Sequence, residues 1–358
     1  MTTIDALKAE AARVLDTLND PTKKIALWGA GPNSAGIVDT LRRIGDPNII
    51  GIFDTRRTVE EEMFAGLPVL SIEDVWKHLP DDLTLVVSPG LNELYGDIVP
   101  RELFYYTIIH RRSIEAAVFI ADQADDIADN LSLFSDDLSK QTYADRLYDL
   151  VRGVMFDRAL QASGSPYFNN DLIPALEGGW LYAGLFNGKH FDRAAKLAQI
   201  DAIQLHGVEP SKRMFAFLKD KFKTAPNIAL TNAVLWSKSG EAIKFNDDAV
   251  HGGLAASVSL PDEFGDTYDV KTAAIDDLPL ADDVNSLSLD VEGSEQQALA
   301  GAEGAMSERF GAVSACIYHT FDDYIQVPRM LQKSHGGRLY VRQHSCIPLI
   351  ETVCYSIR

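Results

Sequence analysis

Apolar residues recur at three- and four-residue intervals from Ile4 through Leu7, Ala11, Val14 and Leu15 to Leu18, so an amphipathic helix opens the chain. The next apolar positions are contiguous instead. Lys24–Trp28, Ile49–Phe53 and Leu83–Val87 read as buried strands, with a helix over Ser34–Arg43 between the first two. This alternation predicts a small parallel α/β domain over residues 1–112. Helical spacing then returns in Tyr143, Leu147, Leu150, Val151 and Val154, punctuated by acidic groups in Ala121–Asp126 and Phe134–Asp137. Apolar periodicity that regular predicts a packed helical connector over 113–164, not a solvated linker.

Strand and helix alternate again over 165–358. Strands are expected at Trp180–Ala183, Ile203–Val208, Ile228–Val234, Ser286–Leu289, Ala312–Tyr318, Arg338–Arg342 and Thr352–Ile357. Helices are expected at Lys189–Gln199, Ser211–Phe222, Ser294–Met306 and Asp322–Lys333. The last two strands have no helix between them, so an antiparallel final strand should close an otherwise parallel, Rossmann-like sheet.

Composition narrows the partners. A net charge of −19 repels nucleic acid, and the His110-Arg111-Arg112 cluster is too short for a binding stripe and reads as a surface feature. No apolar run approaches the ~20 residues that span a bilayer, and Met1–Asp5 lacks a signal-peptide pattern, so a cytoplasmic protein is expected. Cys316, Cys346 and Cys354 have no metal-ligand spacing and read as free thiols. A homo-oligomer is compatible with the pattern but not specified by it.

The carboxyl ends of the second-domain strands carry the candidate chemistry, because the ligand crevice of an open α/β sheet lies there. The first ends in the glycine turn Tyr182-Ala183-Gly184-Leu185-Phe186-Asn187-Gly188. The second ends in Glu209, placed to hold both hydroxyls of a ribose, with Ser211 capping the next helix. The third ends in Asn232-Ala233-Val234, while Asp290 and Glu292 follow the fourth and His319 the fifth. Such a set suits a nucleoside-containing cofactor.

Here the sequence resembles the FkbM-type S-adenosylmethionine-dependent methyltransferases. The resemblance covers about residues 165–358 and rests on Val208-Glu209-Pro210-Ser211, Asn232–Ser237, Leu289–Glu295 with Ala298-Leu299 and Gly301-Ala302, Tyr318-His319 with Asp323, Pro328 and Leu331, Arg342–His344, and Glu351–Tyr355. It implies a methyltransferase sheet, S-adenosyl-L-methionine as cofactor, and methylation of a hydroxyl on a saccharide or other small-molecule acceptor. It puts Tyr182, Gly184, Gly188, Glu209, Asn232 and Asp290 at the cofactor, and Asp290, Glu292 and His319 at the acceptor as catalytic groups. Asp290 or His319 would be the base, with Glu292 orienting or acting as a second base. Those three could hold magnesium or manganese, but their spacing is no metal signature and no metal is expected. One departure stands out: Tyr182 replaces the family's aspartate and Leu185 its alanine. A lost charge-assisted hydrogen bond costs about 1.5–3 kcal/mol, which leaves weakened or abolished cofactor binding open.

Other readings stand beside this one. A degenerate methyltransferase fold could serve as a non-catalytic binding or scaffold protein. Alternatively, Gly29-Ala30-Gly31 with Gly36, and Asp54 at the next strand tip, could bind a nucleotide or nucleotide-sugar. Gly66–Leu70 resembles the Gly-x-Pro-Val segment of small Rossmann-like domains that precede sugar-modifying enzymes. His190, His251, His335 and His344 read as surface or structural groups, Ser294 as a sufficient helix cap, and the loop around Gly252-Gly253 as a candidate lid.

Overall fold

Lys24–Trp28, with its last four residues buried, forms the central strand β1 of the first unit of this computed structural model. Residues 2–29, 32–45, 47–54, 63–70, 83–87, 107–154, 161–197, 203–247, 266–346 and 350–358 are described. The chain divides into two compact units, Met1–Ile127 with Ala144–Met155, and Ala128–Tyr143 with Phe156–Arg358.

In the first unit, the helix Ile4–Asn19 is capped by the Thr3 hydroxyl and buries Leu7, Ala11, Val14 and Leu18. With β2 (Ile49–Phe53), β3 (Met63–Phe64), β4 (Leu67–Leu70), β5 (Leu83–Val87) and β6 (Thr107–His110), β1 builds a sheet in the order β3-β4-β2-β1-β5-β6. All of its pairs are parallel except β3 with β4. The basic trio is not a surface cluster. His110 ends β6 buried, its Nδ1 accepting from the Arg112 amide at 3.2 Å, while Arg111 and Arg112 both pair with Glu115 at 2.9 Å. Helices span Pro32–Ile44, Arg111–Leu133 and Asp137–Arg152.

The second unit is built on β7 (Gly179–Ala183), whose residues are all buried because the sheet is covered on both faces. The following strands are β8 (Leu205–Val208), β9 (Ile228–Thr231), β10 (Val234–Leu235), β11 (Ala242–Asn246), β12 (Thr267–Ala273), β13 (Val284–Leu289), β14 (Ala312–Cys316), β15 (Arg338–Gln343) and β16 (Thr352–Ile357). Seven of the strands make a sheet in the order β15-β16-β14-β13-β7-β8-β9, and β10-β12-β11 make a second. Only β16 runs antiparallel in the large sheet, against both of its neighbours. From β7 the chain works outward through β8 and β9, then returns on the other side as β13 and β14. The strand order therefore switches between β7 and β13, where an open sheet presents its crevice.

Two expected elements break in two. The run Ile228–Val234 ends its ladder at Thr231, and Val234-Leu235 joins β12 in the smaller sheet. The expected helix Ser294–Met306 is two, Glu295–Ala300 and Glu303–Glu308. A Cβ on Gly301 would sit 2.1 Å from the Trp236 carbonyl, so the chain turns against that strand. The second helix has a separate acid at its start: Asp276 accepts from the Gly304 and Ala305 amides at 2.9 and 2.7 Å.

Candidate active site

The glycine turn after β7 is shaped by close approach. Gly184 has φ +87°, and a Cβ there would lie 1.8 Å from the Asp290 carbonyl, so only glycine lets the β7 turn meet the end of β13. Gly188 has φ +74° and packs under Leu218 and Phe222 at the start of the next helix. Between them Phe186 takes a left-handed φ of 48° and donates its amide to Glu209 Oε2 at 2.8 Å.

Glu209 stands at the tip of the adjoining strand with only 6 % of its surface exposed. Its other oxygen accepts from the Ser211 amide at 2.9 Å. Burial raises its pKa to about 7 against the pull of those two amides. Ser211 caps the helix Lys212–Lys221 as expected, accepting from the Met214 amide at 3.1 Å. The Asn232 amide nitrogen donates to the Glu209 and Pro210 carbonyls at 2.8 and 3.0 Å and holds that strand tip in place.

Tyr182 lies in the apolar core. It is fully buried, its ring stacked on Trp180 at 5.0 Å and tilted against Tyr167 at 4.9 Å. An ionised carboxylate at this position would be enclosed by aromatic rings. Leu185 also turns inward: its Cδ2 stands 2.4 Å from where a Cβ of Gly207 would be, so a glycine on β8 absorbs the bulk that replaced alanine. The two departures reshape the core beneath the turn.

The carboxyl ends of β13 and β14 bring together the three expected acceptor-side groups. His319 Nε2 faces Asp290 Oδ1 at 3.4 Å and Glu292 Oε2 at 3.6 Å. Tyr167 donates to Asp290 Oδ2 at 2.8 Å, and Tyr318 to Oδ1 at 3.3 Å. Glu292 holds a left-handed φ of 52°, an uncommon conformation for a residue with a side chain. Burial opposes ionisation of Asp290, but His319 and the Tyr167 hydroxyl outweigh it and hold the carboxyl below its usual range. Burial likewise opposes charge on His319, yet Glu295 and then Asp290 push its pKa well above the ordinary imidazole value. Asp290, Glu292 and His319 each present one ligand atom, all within 4.8 Å of one another, an arrangement able to hold a metal ion.

Glu295 is the residue that sequence reasoning left out of the site. It is fully buried and accepts from the Val291 and Gly293 amides, each at 3.0 Å, and from His319 Nδ1 at 2.7 Å. Ser294 was expected to cap this helix; instead its hydroxyl donates to the Val291 carbonyl, and Glu295 satisfies the turn. Two acids and a glycine just ahead of a helix signal a strained turn that needs a local acceptor, and Glu295 stands two residues after that glycine. Tyr167 carries no such signal, because it lies in an irregular segment before β7. Asp323 is also buried, bonded to Thr320 and Gln296, and burial with the Glu295 charge lifts its pKa to about 6.

Elsewhere the expected histidine roles are structural. His335 bridges Ser356 and the Phe310 carbonyl, His344 bonds the Tyr355 hydroxyl at 2.7 Å, and burial lowers His190 to about 4. In the first unit Gly29 has φ +94° and its carbonyl accepts the Ser34 hydroxyl, whereas a Cβ on Gly36 would meet nothing within 4 Å. Asp54 follows β2 as expected. Gly31, His251 and the Gly252-Gly253 loop lie outside the described residues. No helix among the described residues is long and apolar enough to cross a membrane.

Comparisons with known proteins bear on the fold and on the domain that carries these residues. No curated protein matches the chain in sequence. The crystal structure of methyltransferase FkbM from Methylobacillus flagellatus KT aligns over 98 % of each chain with a TM-score of 0.63 at 15 % identity, which establishes a shared fold. The CMeT domain of citrinin polyketide synthase aligns over 99 % of this chain and 88 % of its own, at 9 % identity and a TM-score of 0.33, too low to support an argument. A family model described as the methyltransferase FkbM domain matches residues 188–336, a span that holds Gly188, Glu209, Asn232, Asp290, Glu292, Glu295 and His319.

Proposed function

We propose that the chain is an S-adenosylmethionine-dependent O-methyltransferase acting on a hydroxyl of a carbohydrate or related metabolite. The observation that carries the reading is the junction of β7, β8 and β13: a glycine turn pressed on the Asp290 carbonyl, with the buried acid Glu209 at the next strand tip. The residues fit the cofactor's nucleoside half. Each Glu209 oxygen accepts one backbone amide and keeps a second lone-pair direction for a ribose hydroxyl. Gly184 and Gly188 keep side chains out of the turn, so the backbone can approach a ligand closely. The methionine half meets no carboxylate from Tyr182, which is why the Tyr182 departure bears on affinity.

When bound, the cofactor supplies a methyl group already activated by its sulfonium. The protein then needs to hold the acceptor oxygen in line and remove its proton. Asp290, Glu292 and His319 converge at the switch point for both tasks, with Tyr167, Tyr318 and Glu295 fixing their positions.

Titration calorimetry with S-adenosylhomocysteine on the full chain and on Glu209→Ala tests the reading. Micromolar binding that is lost in the variant supports it. No binding at millimolar ligand overturns it and favours a non-catalytic role for the altered fold, the reading to which the enclosed Tyr182 lends weight.

A further inference from the structure

We propose that Asp290, Glu292 and His319 form a binding site for one divalent cation of the magnesium or manganese class, placed to take an acceptor hydroxyl as a further ligand. The inference deepens the methyltransferase reading but stands on separate observations. The His319 side chain is only 7 % exposed, and its Nε2 is a buried polar atom with no hydrogen-bond partner among the described residues. Buried polar nitrogens are rarely left so, because desolvation without a partner is costly. The atom is aimed between two carboxylates, at 3.4 Å from Asp290 Oδ1 and 3.6 Å from Glu292 Oε2. In an octahedral shell with ligands at ~2.1 Å, adjacent ligand atoms lie about 3.0 Å apart and opposite ones about 4.2 Å. The three ligand atoms here lie within 4.8 Å of one another, so side-chain adjustment would close them around one ion.

The surroundings suit a metal-bound imidazole. Nδ1 is committed to Glu295 at 2.7 Å, so Nε2 is the nitrogen left facing the two acids, where a bound cation would take the place of its proton. This carboxylate–histidine pair is the arrangement that orients metal-ligating histidines. Glu295 supports the site without being a ligand, because its oxygens also serve the Val291 and Gly293 amides. The hydroxyls of Tyr167 and Tyr318 orient Asp290 in the same way. Two carboxylates with one imidazole select a hard cation, and three ligands leave about three positions open for water or for adjacent hydroxyls of a saccharide. A coordinated hydroxyl loses its proton more readily, which is what methyl transfer to oxygen requires.

The test is manganese binding by the full chain after dialysis against EDTA, read from the EPR signal of free Mn²⁺ with neither cofactor nor acceptor present. One site per chain is expected, weakened about tenfold or more in Glu292→Gln and in His319→Gln and displaced by excess Mg²⁺. Asp322→Asn, which alters an exposed nearby acid, should bind as the parent does. Circular dichroism confirms that each variant is folded; partly exposed Glu292 is the substitution the fold tolerates best. No site at millimolar Mn²⁺, or a site indifferent to both substitutions, overturns the proposal. S-adenosylhomocysteine binding measured on the same preparation separates the two readings: its loss with manganese binding intact sinks the methyltransferase assignment alone, and the converse sinks the metal site alone.

Discussion

Substituting Gly207 with alanine tests how the altered glycine motif is accommodated. An ideal Cβ at Gly207 would lie 2.4 and 2.9 Å from the two Leu185 methyl carbons and 3.0 Å from Leu230 Cδ2. Leu185 is buried, and moving its methyls in a packed core should cost about 1–3 kcal/mol. Leu185→Ala alone should cost about 2–5 kcal/mol through lost burial and a cavity. The new methyl at 207 fills part of that cavity, so the double variant should be less destabilised than the sum of the singles by about 1–3 kcal/mol. Urea unfolding followed by the near-ultraviolet signal of the buried Trp180–Tyr182 cluster measures all four proteins. Because the Leu185 side chain points at β8, Leu185→Ala should also change S-adenosylhomocysteine affinity by less than about threefold. Additive single costs, within about 0.5 kcal/mol, would show that Leu185 and Gly207 do not compensate and that the reasoning is wrong.

Four further outcomes follow from the site. Glu209 has a pKa near 7, raised by burial from 4.5, and its ionised form is the better acceptor for ribose hydroxyls. S-adenosylhomocysteine should therefore bind about tenfold more weakly at pH 6 than at pH 8, and calorimetry on Glu209→Gln should show a flat profile. The same group takes up a proton in the folded state between its ordinary 4.5 and about 7, so its contribution to stability is full below that window and declines across it as pH rises, which thermal melts of the unliganded parent and variant would resolve. Glu295→Gln keeps one carbonyl oxygen where a carboxylate served Val291, Gly293 and His319; a loss of about 3 kcal/mol is expected on urea unfolding, and a cost below about 0.5 kcal/mol would refute its supporting role. Gly184→Ala forces a Cβ to 1.8 Å from the Asp290 carbonyl at a φ of +87°, so it should yield no folded second unit, and a cooperative, parent-like melt would contradict that.

Period and punctuation made the large sheet legible in the chain itself. β7, β8, β13, β14, β15 and β16 are short segments rich in apolar and β-forming residues and bounded by turn residues, and such segments have few alternatives. The antiparallel β16 followed from a connection too short to hold a crossover helix. Candidate positions followed too, because a strand's carboxyl end can be found from its last apolar residue: Glu209, Asp290, Glu292 and His319 all stand there. The small sheet was not legible. β11 and β12 alternate exposed and buried residues, with charges that mask the pattern, and β10 is two residues long.

Only tertiary structure decided which way the side chains at those strand ends face. Tyr182 and Trp180 share a face by the two-residue period, but that this face is the aromatic core depends on Tyr167 and Phe191 packing onto it from other segments. The compensation of Leu185 by Gly207 joins residues on neighbouring strands and leaves no trace in either local pattern. Glu295 could be read as a helix acid, yet its bond to His319 exists only because β13 and β14 are adjacent and in register. Local sequence sets strand, turn and residue type through backbone sterics and hydrophobic period; strand order and packing, which depend on contacts distant along the chain, set what each polar group meets.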